Sequence, residues 1–213
     1  MKKEIQKKRK RRVKTDEMDN RRIQIYASAL ELFLEKGYDA TSLAMIAKRS
    51  RMSKANLYYY YPSKEGLLYG IHLEDLKNRF IPIIEEAEQI SDPQDRIVFF
   101  LKKFALMTTS SPASRVLVHE IRSLSKSHQN EIKLIWRKAY ELIRGAIEEL
   151  QRSGKARKFK VSFLTFLGVS MAFWVIYWWD YSRQGNAEEL AETLVQVYLK
   201  GLLSTATRAC KGK

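Results

Sequence analysis

The chain has 213 residues, 45% of them hydrophobic and 11% aromatic, which excludes wholesale disorder and suffices for one large domain or two small ones. The formal charge is +15, but residues 1–14 hold nine basic residues against Glu4, so about half of the excess is an N-terminal arm and the body is only moderately basic. Cys210 stands alone, which excludes an internal disulfide and a cysteine-built metal site and suits a reducing cytoplasm.

The elements read as helices throughout. Residues 1–17 form a basic arm that is expected to be disordered and to seek phosphate through counterion release. No secretory signal opens the chain, and the first apolar cluster follows Met18. Ile23, Tyr26, Ala27, Ala29, Leu30, Phe33 and Leu34 recur at helical spacing over about 18–36, closed by Gly37. Thr41-Ser42 caps a second helix with Leu43, Ile46 and Ala47 inward, and Ser50-Arg51-Met52 is a turn. Ser53 caps a short third helix with Leu57 on its buried side, which Pro62 stops. Ser63 caps a fourth, kinked near Pro82.

Asp92-Pro93 opens a helix to about residue 108, and Ser111-Pro112 another to about Ser125. A long amphipathic helix carries Ile132, Ile135, Trp136, Ala139, Ile143, Ala146, Ile147 and Leu150 and closes at Gly154. Residues 160–184 form a helix, uncharged over 161–179 and ended by Gly185; Asn186, with Glu189 as capping-box partner, opens the last. The expectation is an all-α fold of about nine helices. A helix-turn-helix unit (residues 18–80, with the motif at about 42–61) precedes a larger helical bundle at 82–206.

Residues 41–68 are the most informative stretch, with Lys48, Arg49, Arg51, Lys54 and Lys64 against one acid, Glu65. A recognition helix must bury one side and present donors on the other. Leu57 is the anchor; Lys54, Ala55, Asn56, Tyr58, Tyr59 and Tyr60 fill the other sides. Ala55 permits close backbone approach, Lys54 reaches a guanine edge or phosphate, and Asn56 can pair with adenine. The phenols suit phosphate oxygens, Lys64 adds a second clamp, and Thr41 and Ser42 aim hydroxyls and amides at another phosphate.

On these residues the chain resembles the TetR family of transcriptional regulators. The resemblance rests on T-S-L-x-x-I-A at 41–47, S-K-x-N-L-Y-Y-Y-Y at 53–61 and S-K-E-x-L-L at 63–68. It implies an all-helical homodimer that binds a palindromic operator in double-stranded DNA. It also implies contacts, mostly to the DNA backbone, from Thr41, Ser42, Lys54, Ala55, Tyr58, Tyr59, Tyr60 and Lys64. Two departures stand out. Ser50-Arg51-Met52 replaces an Ala-Gly-Val-like turn, so Arg51 takes a left-handed position at about 1 kcal/mol and in return offers a phosphate contact. Tyr60-Tyr61 replaces the usual His-Phe.

The second half concentrates aromatics: Trp136, Tyr140, Phe163, Phe166, Phe173, Trp174, Tyr177, Trp178, Trp179 and Tyr181. Stripes of this kind serve core and dimer packing first, yet rings interleaved with Gly168 and Ala172 leave irregular space for an apolar effector. Trp136, Arg137, Tyr140, Phe166, Trp174, Tyr177 and Trp178 are the candidate effector residues. HEIRSL (119–124), W-R-K-x-Y (136–140) and F-L-G…W…WW…G (166–185) resemble the acyl-CoA-responsive branch of the family. That resemblance implies a long apolar pocket with basic residues at its mouth, for which Arg122, Arg137 and Arg144 are suitable. Leu190, Leu194, Val197, Tyr198 and Leu202 mark a homodimer face through about 160–206. Effector binding would shift the population away from the DNA-competent state, through the helix kinked near Pro82.

Residues 161–179 carry no charge and have the length of a membrane span, but read better as a helix buried on all sides of a bundle. No Gly-rich phosphate loop, His-Glu-x-x-His or cysteine pair is present, and His72, His119 and His128 are scattered. Neither an enzyme nor a cofactor is expected. The competing readings are a membrane-tethered sensor using 161–179 and a non-specific nucleoid-type DNA binder.

Overall fold

The computed structural model describes residues 20–110, 113–179 and 186–204. The basic arm, Ser111-Pro112, Tyr181, Gly185 and Cys210 lie outside the described residues. The helices are α1 (20–36), α2 (Leu43–Arg49), α3 (Lys54–Tyr60), α4 (Lys64–Asp75), α5 (Ile81–Glu88), α6 (Pro93–Thr109), α7 (Ala113–His119), α8 (Lys126–Arg152), α9 (Val161–Trp178) and α10 (Ala187–Leu202). A π-helical turn, Leu76–Phe80, joins α4 to α5. Counted as one kinked helix, α4 to α5 bring the described residues to the expected nine.

Pro82 explains the π turn. It has no N–H to give and its ring displaces the carbonyl four residues back. The ladder shifts by one residue instead, with Ile81 N–H donating to the Leu76 carbonyl and Pro82 settling in the first turn of α5. The caps fall as expected. Ser42, Ser53, Asp92 and Asn186 each accept a first-turn amide of α2, α3, α6 and α10, and Ser63 Oγ accepts from Gly66 N–H at 2.9 Å.

Two compact units emerge. The first comprises residues up to His72 together with Val116–Ser125; the second comprises Leu73–Arg115 and the chain from Lys126 onward. The boundary thus falls inside α4, earlier than residue 80, and the segment around 116–125 joins the N-terminal unit. No single helix runs from 112 to Ser125. α7 is followed by a 3-10 turn, Glu120–Ser123, and Ser125 N–H donates to the Glu65 carboxylate at 2.8 Å.

In the first unit Ile25, Ala29, Leu32 and Phe33 form the buried stripe of α1. Ile23 and Leu34, which periodicity had placed on that face, are exposed. Leu43, Ile46, Ala47, Leu57, Leu67, Leu68 and Ile71 complete the core.

In the second unit α9 packs on α6, α8 and α10, and α6 also packs on α5, α8 and α10. Phe80, Phe100 and Phe104 are fully buried, and the Trp136 ring lies 4.4 Å from Phe80 and 5.6 Å from Phe104. Arg115 donates to the carbonyls of Ile176 and Trp179, capping the C-terminus of α9.

The expectation that 160–184 is one helix buried on all sides is overturned. α9 ends at Trp178, and only 28% of its residues are buried. Phe163, Phe166, Leu167, Trp174 and Trp178 are exposed. One face of α9 packs inward through Leu164, Thr165, Gly168, Ala172 and Ile176, while the other carries large apolar side chains outward. On α10 the correction runs the other way. Leu194, Tyr198 and Leu202 are core, and of the expected dimer stripe only Val197 is well exposed.

Candidate nucleic-acid interface

α2 and α3 meet at a turn built by side chains as much as by backbone. The Ser50 hydroxyl donates to the Ile46 carbonyl at 2.8 Å. Met52 N–H reaches the Ala47 carbonyl at 2.9 Å and Arg51 N–H the Lys48 carbonyl at 3.3 Å, which is the Schellman pattern. Its left-handed position is filled by Arg51 at φ 55°, the one non-Gly residue with positive φ among the described residues. The strain expected from the sequence is therefore present.

α3 buries only Leu57. Lys54, Ala55, Asn56 and Tyr58 are exposed, and Tyr59 is 81% exposed. Tyr60 is half-buried with its ring edge-on to Tyr59 at 5.6 Å. Lys54 Nζ lies 5.8 Å over the Tyr58 ring. The fourth tyrosine turns inward: the Tyr61 hydroxyl donates to the Tyr26 hydroxyl at 2.7 Å and braces the end of α3 against α1. Residues 42–61 contain no acid, so Lys48, Arg51 and Lys54, all exposed, give this face one sign of charge.

Three residues assigned to phosphate by sequence are engaged within the protein. Thr41 is 2% exposed, and its hydroxyl donates to the carbonyls of Gly37 at 2.8 Å and Leu32 at 3.3 Å, closing the C-terminus of α1. Ser42, exposed, is the N-cap and spends its oxygen on Met45 N–H at 3.2 Å. Lys64 Nζ donates to the carbonyls of Tyr38 at 2.8 Å and Asp39 at 3.3 Å and lies 4.1 Å above the Tyr38 ring, leaving one N–H of the three for another acceptor. Arg49 is also committed. It forms ion pairs with Glu35 at 2.8 Å and Glu31 at 3.2 Å, which lower the Glu35 carboxyl pKa through its hydrogen bond to Arg49. Two acids four residues apart on one helix were visible in the sequence; their shared partner, eighteen residues from Glu31 and fourteen from Glu35, was not.

The candidate effector residues divide by exposure. Trp136 belongs to the interior aromatic cluster, with Phe173 at 5.8 Å, and Tyr177 continues it at 6.2 Å from Phe173. Tyr140 is half-buried. Phe166, Trp174 and Trp178 sit on the outward face of α9, and Arg137 is exposed. The seven do not line one interior space. Nor is Gly168 a source of free volume, because the Tyr198 ring occupies it. Of the arginines expected at a pocket mouth, Arg144 is held by Glu141 and Glu148, each at 2.9 Å, while Arg122 is exposed.

Two family profiles match this chain. Residues 25–70 match the profile of bacterial regulatory proteins, tetR family, and residues 91–202 match that of the tetracyclin repressor-like C-terminal domain. The biofilm operon icaADBC negative transcriptional regulator IcaR of Staphylococcus epidermidis is 39% identical over 80 residues, 38% of this chain and 43% of IcaR. The match thus spans less than half the length of that relative. A tetR-family regulatory protein from Rhodococcus RHA1 superposes with a TM-score of 0.78 at 28% identity, over 87% of this chain and 98% of its own. AibR, solved with isovaleryl coenzyme A and operator DNA, superposes with a TM-score of 0.75 over 83% of this chain and 97% of its own. At 23% identity that likeness carries the fold alone.

Proposed function

This chain belongs to the TetR family of DNA-binding transcriptional regulators, and on that premise we propose that it is a ligand-released homodimeric repressor that reads a palindromic operator in the cytoplasm. The observation that carries the DNA reading is α3, which buries Leu57 alone and turns Lys54, Ala55, Asn56, Tyr58 and Tyr59 outward beside an acid-free turn. Lys54 and Asn56 address base edges; Tyr58, Tyr59, Arg51 and Lys48 address phosphates, with Ser42, Tyr60 and the third Lys64 N–H at the margin. Thr41 serves from behind, holding the end of α1 in place.

The homodimer forms through the outward face of α9, where Phe163, Phe166, Leu167, Trp174 and Trp178 lie exposed, joined by Val197 of α10. An apolar patch of this kind marks a protein interface, and a two-fold axis makes it self-complementary. Such a dimer sets two recognition helices roughly 34–36 Å apart, matched to successive major grooves.

The effector is a hydrophobic molecule of the acyl-CoA class. Its support is the resemblance of residues 119–124, 136–140 and 166–185 to acyl-CoA-responsive regulators, together with the shared fold of AibR, which binds isovaleryl coenzyme A. Release follows if the effector prefers the state in which the heads are not spaced for DNA.

The test is binding of the full-length protein to the DNA upstream of its own gene at about 0.15 M salt with excess competitor, with and without long-chain acyl-CoA. Specific binding that acyl-CoA abolishes is the expected result. Specific binding that ignores acyl-CoA removes the effector, and binding that competitor DNA erases at every genomic site removes the specific regulator.

A further inference from the structure

The loop between α8 and α9 reads Arg152-Ser-Gly-Lys155-Ala-Arg157-Lys158-Phe159-Lys160: five cations and no acid in nine residues. All but Ala156 are exposed, and Phe159 is 56% exposed. Beside it lies a surface depression of about 520 Å³ lined by Glu148, Gln151, Arg152, Lys158 and Phe159. This is within the size range of small-molecule sites.

A run of surface cations is usually a solvated face. Three observations set this one apart. The loop is built rigidly. Gly154 at φ 73° ends α8 in a Schellman pattern, with Lys155 N–H on the Leu150 carbonyl at 2.9 Å. Gln151 Nε2 donates to the carbonyls of Arg157 at 2.7 Å and Phe159 at 2.8 Å. Ala156 pairs with Leu203 in an antiparallel bridge, and Arg157 Nε donates to the Leu203 carbonyl at 3.3 Å. Two of the cations are also unspent: among the described residues neither Arg152 nor Lys158 has an ion pair, unlike Arg144, Arg96 and Lys102 of the same unit. Finally, the lining is chemically mixed. A bare phosphate site would gain nothing from a carboxylate, yet Glu148 is present, fixed by Arg144 at 2.9 Å.

We propose that this depression binds a phosphorylated nucleotide. The base stacks on the Phe159 ring, the Glu148 carboxylate accepts from ribose hydroxyls, and Arg152 and Lys158 hold the phosphates. Each part of the ligand meets a group of matching chemistry, and the rigid loop leaves little ordering to be done on binding. The lining residues all belong to the second unit, whereas α3 belongs to the first. A free nucleotide and the phosphorylated adenosine head of an acyl-CoA share this chemistry; in the second case alone the inference rests on the effector reading above.

The experiment is titration of the full-length protein with ADP, pyrophosphate and a long-chain acyl-CoA at about 0.15 M salt, by calorimetry. Four proteins are compared: wild type, the double variant Arg152→Gln/Lys158→Gln, Phe159→Ala, and the control Lys133→Gln on the exposed face of α8. All are surface changes, and circular dichroism verifies folding. The expected result is saturable ADP binding at one site per chain, weakened at least about tenfold by the double variant and unchanged in the control. Phe159→Ala weakens ADP but not pyrophosphate. If acyl-CoA weakens in parallel with ADP, the head group of the effector is the source; if acyl-CoA is unaffected or does not bind, a free nucleotide is. Absence of saturable ADP binding overturns the proposal, as does equal binding of pyrophosphate with no effect of Phe159→Ala. ADP affinity that falls no further in the double variant than in Lys133→Gln also overturns it.

Discussion

A Cβ placed on Gly168 would lie 2.8 Å from Cζ and 2.9 Å from Cε2 of Tyr198, so these two residues set how closely α9 approaches α10. Tyr198 cannot yield. It is 6% exposed, its hydroxyl donates to the Leu164 carbonyl at 2.9 Å, and burial pushes its phenol pKa up. In an unconstrained helix Gly→Ala gains about 1 kcal/mol. Here overpacking costs about 1–3 kcal/mol and reverses the sign. Gly168→Ala is expected to destabilise by about 1 kcal/mol in urea unfolding, and a stabilised variant would contradict the close approach.

Arg51 predicts the opposite sign. Its φ of 55° costs an L-residue about 1–2 kcal/mol, and glycine returns part of that as unfolded-chain entropy. Arg51→Gly is expected to stabilise by about 0.5 kcal/mol. If Arg51 contacts phosphate as proposed, the same change lowers the slope of log affinity against log salt by about 1. An unchanged slope assigns Arg51 to the turn alone.

Arg79 ties the π turn to the α6–α7 connection. It pairs with Asp75 at 2.8 Å, donates to the Met107 carbonyl at 2.6 Å and to Ser114 at 3.1 Å, and also reaches Ser110. Removing the guanidinium strands the partly buried Asp75 carboxylate and takes one donor from the Met107 carbonyl, which the Ser110 hydroxyl still serves at 2.8 Å. Arg79→Leu is expected to cost about 2 kcal/mol in chemical denaturation, and Arg79→Lys to recover only part, since an ammonium cannot span the fork. Full recovery by lysine would show that charge alone matters.

His72 is 5% exposed, its Nε2 has no hydrogen-bond partner among the described residues, and burial lowers its pKa to about 4, against a smaller opposing effect of the Leu117 backbone. The unfolded chain therefore binds a proton that the folded chain refuses. Stability is full above about pH 6.5, falls as pH drops toward 4, and levels off below, with up to about 3 kcal/mol at stake. His72→Leu should flatten that part of the stability–pH curve. A curve unchanged in slope between those limits would mean that His72 titrates normally.

The exposed face of α9 gives the last prediction. Phe166→Glu/Trp178→Glu alters side chains that are 66% and 82% exposed, so the protomer should fold as before. Light scattering should then report a monomer where the wild type is a dimer, and operator affinity should fall with it. A variant that remains dimeric would place the interface elsewhere.

What the sequence by itself determined is what the chain decides locally. Ser42, Ser53, Asp92 and Asn186 cap helices because a side-chain oxygen meets amides two or three residues on. Leu57 as the sole anchor of α3, the left-handed Arg51 and the disturbance before Pro82 follow from the same short range. These were enough to place α3 and its exposed residues.

Tertiary structure decided which donors were still free. Thr41 and Lys64 look like phosphate ligands, and Arg49 like a free cation, until the end of α1 and its acids arrive to use them. It also decided which side of an uncharged helix faces out. α9 has almost no amphipathic signal, because its interior face and its exposed face are both apolar, so periodicity cannot separate them. The space beside Gly168 was settled the same way, by a tyrosine thirty residues away whose position no local pattern encodes.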